Sequence, residues 1–197
     1  MTTARDLALV ALGLPPERSV EQGDLALALA GAEAIDLLDM GALTLDGDPP
    51  VPGVPVATGD RLLDRAAASL VRRVPYEPAD AWLWRRGSGL AAAYTDDLER
   101  AGLIAHPVGR RFRRRSAPAD APAHREAEER RASGEPVLAA LLMAAGIADA
   151  APQDAAGTVG DAVATVLAAI GDAVTRLESV RLRRDLENAA FDNVWRA

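Results

Sequence analysis

Apolar residues recur at helical spacing along almost the whole of this chain, and proline or glycine cuts the pattern into short segments. Such punctuation predicts a packed set of short helices. Thr3 and Asp6 stand at capping-box spacing, and Leu7, Val10, Ala11 and Leu14 give a first helix its apolar face before Pro15-Pro16 ends it. Asp24 starts a second helix through Met40, with Leu25, Leu29, Ala32, Ile35, Leu37 and Leu38 on a broad buried face and Gly41 just past its end. Leu43 to Leu45 reads as a short strand. Pro49, Pro50, Pro52 and Pro55 then make a loop barred from any central sheet.

A third helix is expected from Thr58-Gly59-Asp60 to Arg73, followed by a short one carrying Trp82, Leu83, Trp84, Arg85 and Arg86. Gly87-Ser88-Gly89 interrupts, and Leu90 to Ala101 forms the next helix, closed by Gly102. Two strand-like pieces, Leu103–Val108 and Arg111–Arg115, suggest a hairpin turning at Gly109-Arg110. Residues 116–123 read as an internal linker into a charged helix, His124 to Ala132. Pro136 fits the first turn of an apolar helix through Ile147, and two further helices cover Thr158–Val180 and Leu182–Trp195. The expected fold class is mainly α: one domain over residues 1–197, a central helical bundle ringed by amphipathic helices, with one or two short β-hairpins.

Alanine fills 43 of the 197 positions, so the core is built from small side chains. The chain has no cysteine and no lysine. That removes disulfide frameworks, zinc–cysteine centres and cysteine nucleophiles, and equally the P-loop lysine, Schiff bases and Ser–Lys dyads. Leu7 to Leu14 is too short for a secretory signal or a membrane span, and a cytoplasmic location is expected.

The net charge of −7 divides unevenly. Residues 1–60 carry −8, residues 61–115 carry +6, and residues 116–197 carry −5. Within the middle block, Arg110, Arg111, Arg113, Arg114 and Arg115 surround Phe112. So dense a basic run points to an anionic partner, or to a hairpin edge protected by its charge. On an anionic membrane, about 1 kcal/mol per arginine gives roughly 5 kcal/mol, enough for reversible peripheral binding only.

Nucleic acid is the rival anion, because Leu98 to Ile104 ahead of a basic hairpin has the outline of a recognition helix and wing. That helix, however, offers Ala91, Ala92 and Ala93, which read no base edge beyond a thymine methyl, and Asp96 and Asp97 repel phosphate. These residues argue against nucleic acid.

No catalytic or metal-binding constellation is legible, and no cofactor is implied. His106 and His124 lack metal-ligand spacing, and Gly87-Ser88-Gly89 matches neither a nucleophile elbow nor a dinucleotide turn.

The string Thr58-Gly59-Asp60-Arg61-Leu62-Leu63-Asp64 follows Met40-Gly41-Ala42-Leu43-Thr44-Leu45 and precedes Trp82 and then Leu98-Glu99-Arg100-Ala101-Gly102-Leu103-Ile104. This ordered set resembles the Golgi phosphoprotein 3 family, which includes many actinobacterial proteins. The order holds from Leu7 to Arg115 and more loosely to Trp195.

The resemblance implies a mainly helical domain and peripheral membrane binding through phosphatidylinositol 4-phosphate. It also implies an adaptor role in eukaryotes, self-association through a hairpin (here residues 103–115) in some members, and no catalysis. Carried over by position, the family's headgroup arginines fall on Ala30, Ser88 and Ala91, and its pocket tryptophan near Glu21. The bidentate phosphate donors are therefore substituted.

Trp82, Arg85 and Arg86, with Arg110, Arg111, Arg113 and Arg114, remain as a displaced lipid or anion site. The alternative is that Trp82 packs in the core and the arginines are solvated. The expected partner is an anionic membrane lipid or a membrane-associated protein client, at the inner face of the plasma membrane. The competing reading is a scaffold or accessory protein, without lipid binding, that self-associates or docks a client.

Overall fold

The computed structural model describes residues 2–14, 18, 20–104, 122–148 and 159–195. Two helices apolar on nearly every side form its centre. α1 (Thr3–Gly13) buries Ala4, Leu7, Ala8, Leu9, Val10 and Ala11, and α2 (Gln22–Asp39) is buried almost continuously from Asp24 to Leu37. Sequences of this kind must be covered all round, and α2 is. It packs against α1, α3, α4, α5, α7 and α8.

The start of α1 is tied to the end of α2. Thr2 is its N-cap, accepting from the Arg5 amide at 3.3 Å. The Thr3 and Ala4 amides donate to the Asp36 carboxylate at 2.8 and 3.0 Å. Two otherwise unpaired donors of the first turn are thus satisfied from a neighbouring helix. The expected Thr3–Asp6 capping box is replaced by this arrangement, because Asp6 turns away to Arg130.

α2 ends in a Schellman turn. Ala42 donates to the Leu37 carbonyl at 2.9 Å and Gly41 to that of Leu38 at 3.0 Å, with Gly41 at φ +67°. β1 (Leu43–Leu45) then pairs antiparallel with β2 (Pro50–Pro52), Leu43 opposite Pro52 and Leu45 opposite Pro50. The proline stretch expected as loop therefore includes a strand. A two-stranded ribbon has only edges, where proline's missing donor can face solvent.

α3 (Arg61–Ser69) stops earlier than expected. The Ser69 hydroxyl donates back to the Ala66 carbonyl at 2.7 Å, and Leu70 beyond it is extended. α4 (Ala79–Gly87) buries Trp82 and Leu83, and α5 (Leu90–Arg100) buries Leu90, Ala91, Tyr94 and Leu98. The positive-φ turn expected at Gly102 is present, with Leu103 donating to the Leu98 carbonyl at 2.9 Å.

α6 (Pro122–Ala132) begins two residues ahead of the expected start, inside the expected linker. α7 (Pro136–Ala144) starts with the Glu135 side chain accepting from the Val137 and Leu138 amides. Where two helices were expected, α8 (Asp161–Trp195) is one. No glycine or proline interrupts residues 172–195, and Arg181, at the expected break, bonds Asp24 at 2.9 Å. The strand expected at Leu43–Leu45 is present as β1, whereas the two expected strands of the 103–115 hairpin lie outside the described residues apart from Leu103 and Ile104, which are not in a strand.

Gly31 lets α8 approach α2. A Cβ there would lie 2.0 Å from Cδ1 and 2.5 Å from Cγ1 of Ile170, a fully buried residue. Gly31→Ala is expected to destabilise by about 1–3 kcal/mol through overpacking. Combining it with Ile170→Ala should cost less than the two single changes added together, as measured by urea denaturation.

Candidate functional site

Of the expected site residues that the structure describes, Ala30 lies on α2, Trp82, Arg85 and Arg86 on α4, Ala91 on α5 and Ser88 between α4 and α5, and these three helices meet at one junction. Ala30 on α2 is 0% exposed and Ala91 on α5 is 7% exposed, while Ser88 is exposed between α4 and α5. No cation occupies these three positions. Each stands close in sequence to a member of a buried polar cluster: Ala30 is three residues before Glu33, Ala91 three before Tyr94, and Ser88 two after Arg86.

That cluster is a clasp. Arg86 Nε and Nη2 donate to the two oxygens of Glu33, each at 2.7 Å, and Nη2 also reaches the Leu62 carbonyl at 3.0 Å. The Tyr94 hydroxyl donates to Glu33 Oε1 at 3.2 Å. One carboxylate and one guanidinium thereby join α2, α3, α4 and α5. The Glu33 side chain is 0% exposed and that of Arg86 14%.

Burial pushes the Glu33 carboxyl up to about 7 from 4.5, against the opposing pull of Arg86 and Tyr94. Burial, reinforced by the Glu33 charge, also holds the Tyr94 phenol well above its ordinary value. Arg86 is therefore committed inward and has little surface to offer an external anion.

Arg85 is held differently. Its Nε and Nη2 donate to Glu77 at 2.9 and 2.5 Å, and Nη2 to the Ser69 carbonyl at 2.9 Å, with the side chain 46% exposed. Trp82 lies in the core at 1% exposure, its indole N–H donating to the Ser69 hydroxyl at 3.1 Å. Trp84 is partly buried against the same core. The structure thus brings Trp82, Arg85 and Arg86 together as packing and internal ion pairs. Arg110, Arg111, Arg113 and Arg114 lie outside the described residues.

The string Thr58 to Asp64 is a helix-starting device. Asp60 accepts from the Leu62 and Leu63 amides at 2.8 and 3.1 Å, capping α3. The Thr58 amide and hydroxyl donate to Asp64 at 2.9 and 2.8 Å, and Gly59 takes φ +76° between them. These two bonds hold the exposed Asp64 carboxyl below its ordinary value. Leu62 and Leu63 enter the core. The expected family string therefore builds the fold: its polar groups start α3 and its two leucines fill the core.

Sequence reasoning passed over Glu33, Tyr94 and the ion pair of Asp6 with Arg130. One signal for Glu33 is readable: it is an acid inside the otherwise apolar run Leu25 to Ile35, where burial demands a partner.

Two expectations follow. Asp60→Ala should cost about 0.5–2 kcal/mol through loss of the cap, read by chemical denaturation. For the clasp, the folded carboxyl keeps a proton between pH 4.5 and about 7 that the unfolded chain releases, so the stability it contributes falls as pH rises through that window. Glu33→Gln should remove this part of the slope. At pH 8, Arg86→Met strands a buried carboxylate and should cost roughly 3–5 kcal/mol, with less lost at pH 5, where the carboxyl is protonated.

No helix among the described residues is long and apolar enough to cross a membrane. No curated protein and no solved structure matches the chain closely enough to be set beside it. A family model does match, that of Golgi phosphoprotein 3 (GPP34), over residues 4–189. Together with the mainly helical fold and its two-stranded ribbon, that span shows that the chain belongs to the Golgi phosphoprotein 3 family.

Proposed function

We propose that this protein is a non-enzymatic adaptor that associates peripherally with anionic membrane surfaces through summed charge, without a headgroup pocket. The observation that carries the reading is the α2–α4–α5 junction. Alanines stand at positions 30 and 91, and Arg86 is engaged by Glu33. A phosphoinositide headgroup needs convergent guanidinium donors, and this junction turns its charge inward.

Family membership supports a non-catalytic docking role. The basic run Arg110, Arg111, Arg113 and Arg114 supplies the attraction to an anionic surface. Such attraction is reversible, screened by salt and indifferent to headgroup identity.

The test is co-sedimentation with vesicles of phosphatidylserine or phosphatidylinositol 4-phosphate, matched in surface charge. Equal binding to both is expected, falling as salt rises, and replacement of the four arginines by glutamine should abolish it. Selective retention on phosphatidylinositol 4-phosphate at matched charge would overturn the reading, as would absence of binding to either vesicle.

One observation favours a second reading, a self-associating scaffold. Beyond Arg181, α8 leaves Leu182, Leu186 and Phe191 exposed at 65%, 73% and 69%. Light scattering decides it: a monomer at micromolar concentration counts against the scaffold.

A further inference from the structure

α8 packs its Val166, Ile170, Ala173 and Leu177 side against α2, α4 and α7. Residues three, four, seven and eleven apart share one face of a helix. The face turned away from the core is therefore the line Ala164, Ala168, Gly171, Thr175, Ser179, Leu182 and Leu186, and every one of these residues is exposed. The solvent face of a helix ordinarily carries charge. This line carries none, and Leu182 and Leu186 stand 65% and 73% exposed at one end of it.

Two further observations mark the face as one that another helix covers. Gly171 lies inside α8, where glycine is weaker than alanine, yet a Cβ there would meet nothing within 4 Å. Gly23, Gly31 and Gly87 are each explained by a neighbour, at 2.6, 2.0 and 3.3 Å from such a Cβ, whereas packing within the subunit gives no reason for Gly171. The hydroxyls of Thr175 and Ser179 turn back along the helix, donating to the carbonyls of Gly171 and Thr175 at 2.9 and 3.0 Å. Their donors are satisfied before any partner arrives, so the line can be buried without stranding a polar group.

The line also complements itself, because its spacing is symmetrical about Thr175. Laid antiparallel on a second α8 at that point, Gly171 meets Ser179, Ala168 meets Leu182 and Ala164 meets Leu186. Each leucine falls opposite an alanine, as close packing of two helices requires. A parallel arrangement would instead set leucine on leucine and leave glycine on glycine. The bordering charges agree with the antiparallel pairing. Asp172 and Arg176 share one flank, and each Asp172 comes within two residues, about 3 Å along the axis, of Arg176 in the second copy. The two Arg176 lie as close to each other, but each is held between Asp80 of its own chain, at 3.0 Å, and Asp172 of the other. On the opposite flank the two Glu178 stand about 9 Å apart along the axis, and Asp185 comes level with uncharged Thr165.

We propose that α8 is an interface between two copies of this chain, paired antiparallel about Thr175, with Leu182 and Leu186 of each seated over Ala168 and Ala164 of the other. The core lies on the far side of each helix, so the two bodies flank the pair without meeting. The inference rests on the scaffold reading and gives it a surface; it uses none of the arginines of the membrane reading.

Sedimentation velocity of the full chain over the micromolar range tests it, with a reversible dimer expected. Ala168→Glu and Leu182→Lys each set a charge against an apolar surface, and each should weaken dimerisation about tenfold or more. Mixed in equal amounts, the two variants should pair again, because position 168 of one faces position 182 of the other. Both positions are exposed, so unchanged melting temperatures verify the folds. The chain holds no cysteine, which makes Thr175→Cys a second reading: placed on the symmetry axis, it should crosslink to its counterpart on mild oxidation, whereas Ser133→Cys, also exposed, should not. A monomer throughout overturns this interface together with the scaffold reading. A dimer undiminished in both variants, one that mixing fails to restore, or equal crosslinking at the two cysteines overturns this interface alone and assigns self-association to another surface.

Discussion

A helix wrapped on all sides must find partners within the protein for every charge it carries, and α2 carries three buried acids. Each is answered by a different element. Asp24 meets Arg181 of α8 at 2.9 Å, Glu33 meets Arg86 of α4 at 2.7 Å, and Asp36 meets the first amides of α1. Leucine and alanine make the interior apolar without saying which helix lies on which side. The acids add direction, since a wrong neighbour would leave a buried carboxylate unanswered. Small residues complete the arrangement: Gly31 admits Ile170, and at Gly23 a Cβ would lie 2.6 Å from Leu177.

The same requirement reorganises the charge blocks of the sequence. Arg61, Arg85, Arg86 and Arg100 belong to the basic middle block, yet all four sit in ion pairs, with Asp97, Glu77, Glu33 and again Asp97. Asp6, Asp36 and Asp39 of the acidic first block gather at one pocket with Glu126 and Glu129 of the third. Three of these pairs join arginines of the middle block to its own acids and leave its excess unchanged, whereas Arg86 meets Glu33 of the first block. Part of the negative excess is gathered from segments far apart in the chain.

Local features were the ones legible in the sequence. Helix ends at Gly41 and Gly102, the cap at Asp60 and the apolar faces of α1, α2 and α5 depend on residues within a turn or two of each other. What escaped is tertiary. Arg86 and Arg85 are adjacent and chemically identical, yet one is nearly buried on Glu33 and the other is half exposed beside Glu77. Nothing within a few residues of either distinguishes them. Both halves of α8 were expected as helices, but their continuity through Arg181 was not, because that residue's place in the helix is fixed by Asp24, 157 positions away, and Leu182 and Leu186 remain exposed beyond it.

The candidate site was legible only as a substitution. Ala30, Ser88 and Ala91 said what was missing, whereas Glu33 and Tyr94, one turn further along their helices, say what took the place of a surface charge.

Apart from Arg61, which pairs with Asp97, and the Leu62 carbonyl, which accepts from Arg86, the seven residues from Thr58 to Asp64 bond to one another or enter the core. A search keyed to that string retrieves chains that begin a helix in the same way. Kinship recognised through it passes on an architecture and leaves the ligand open, so relatives that share it can differ in what they hold.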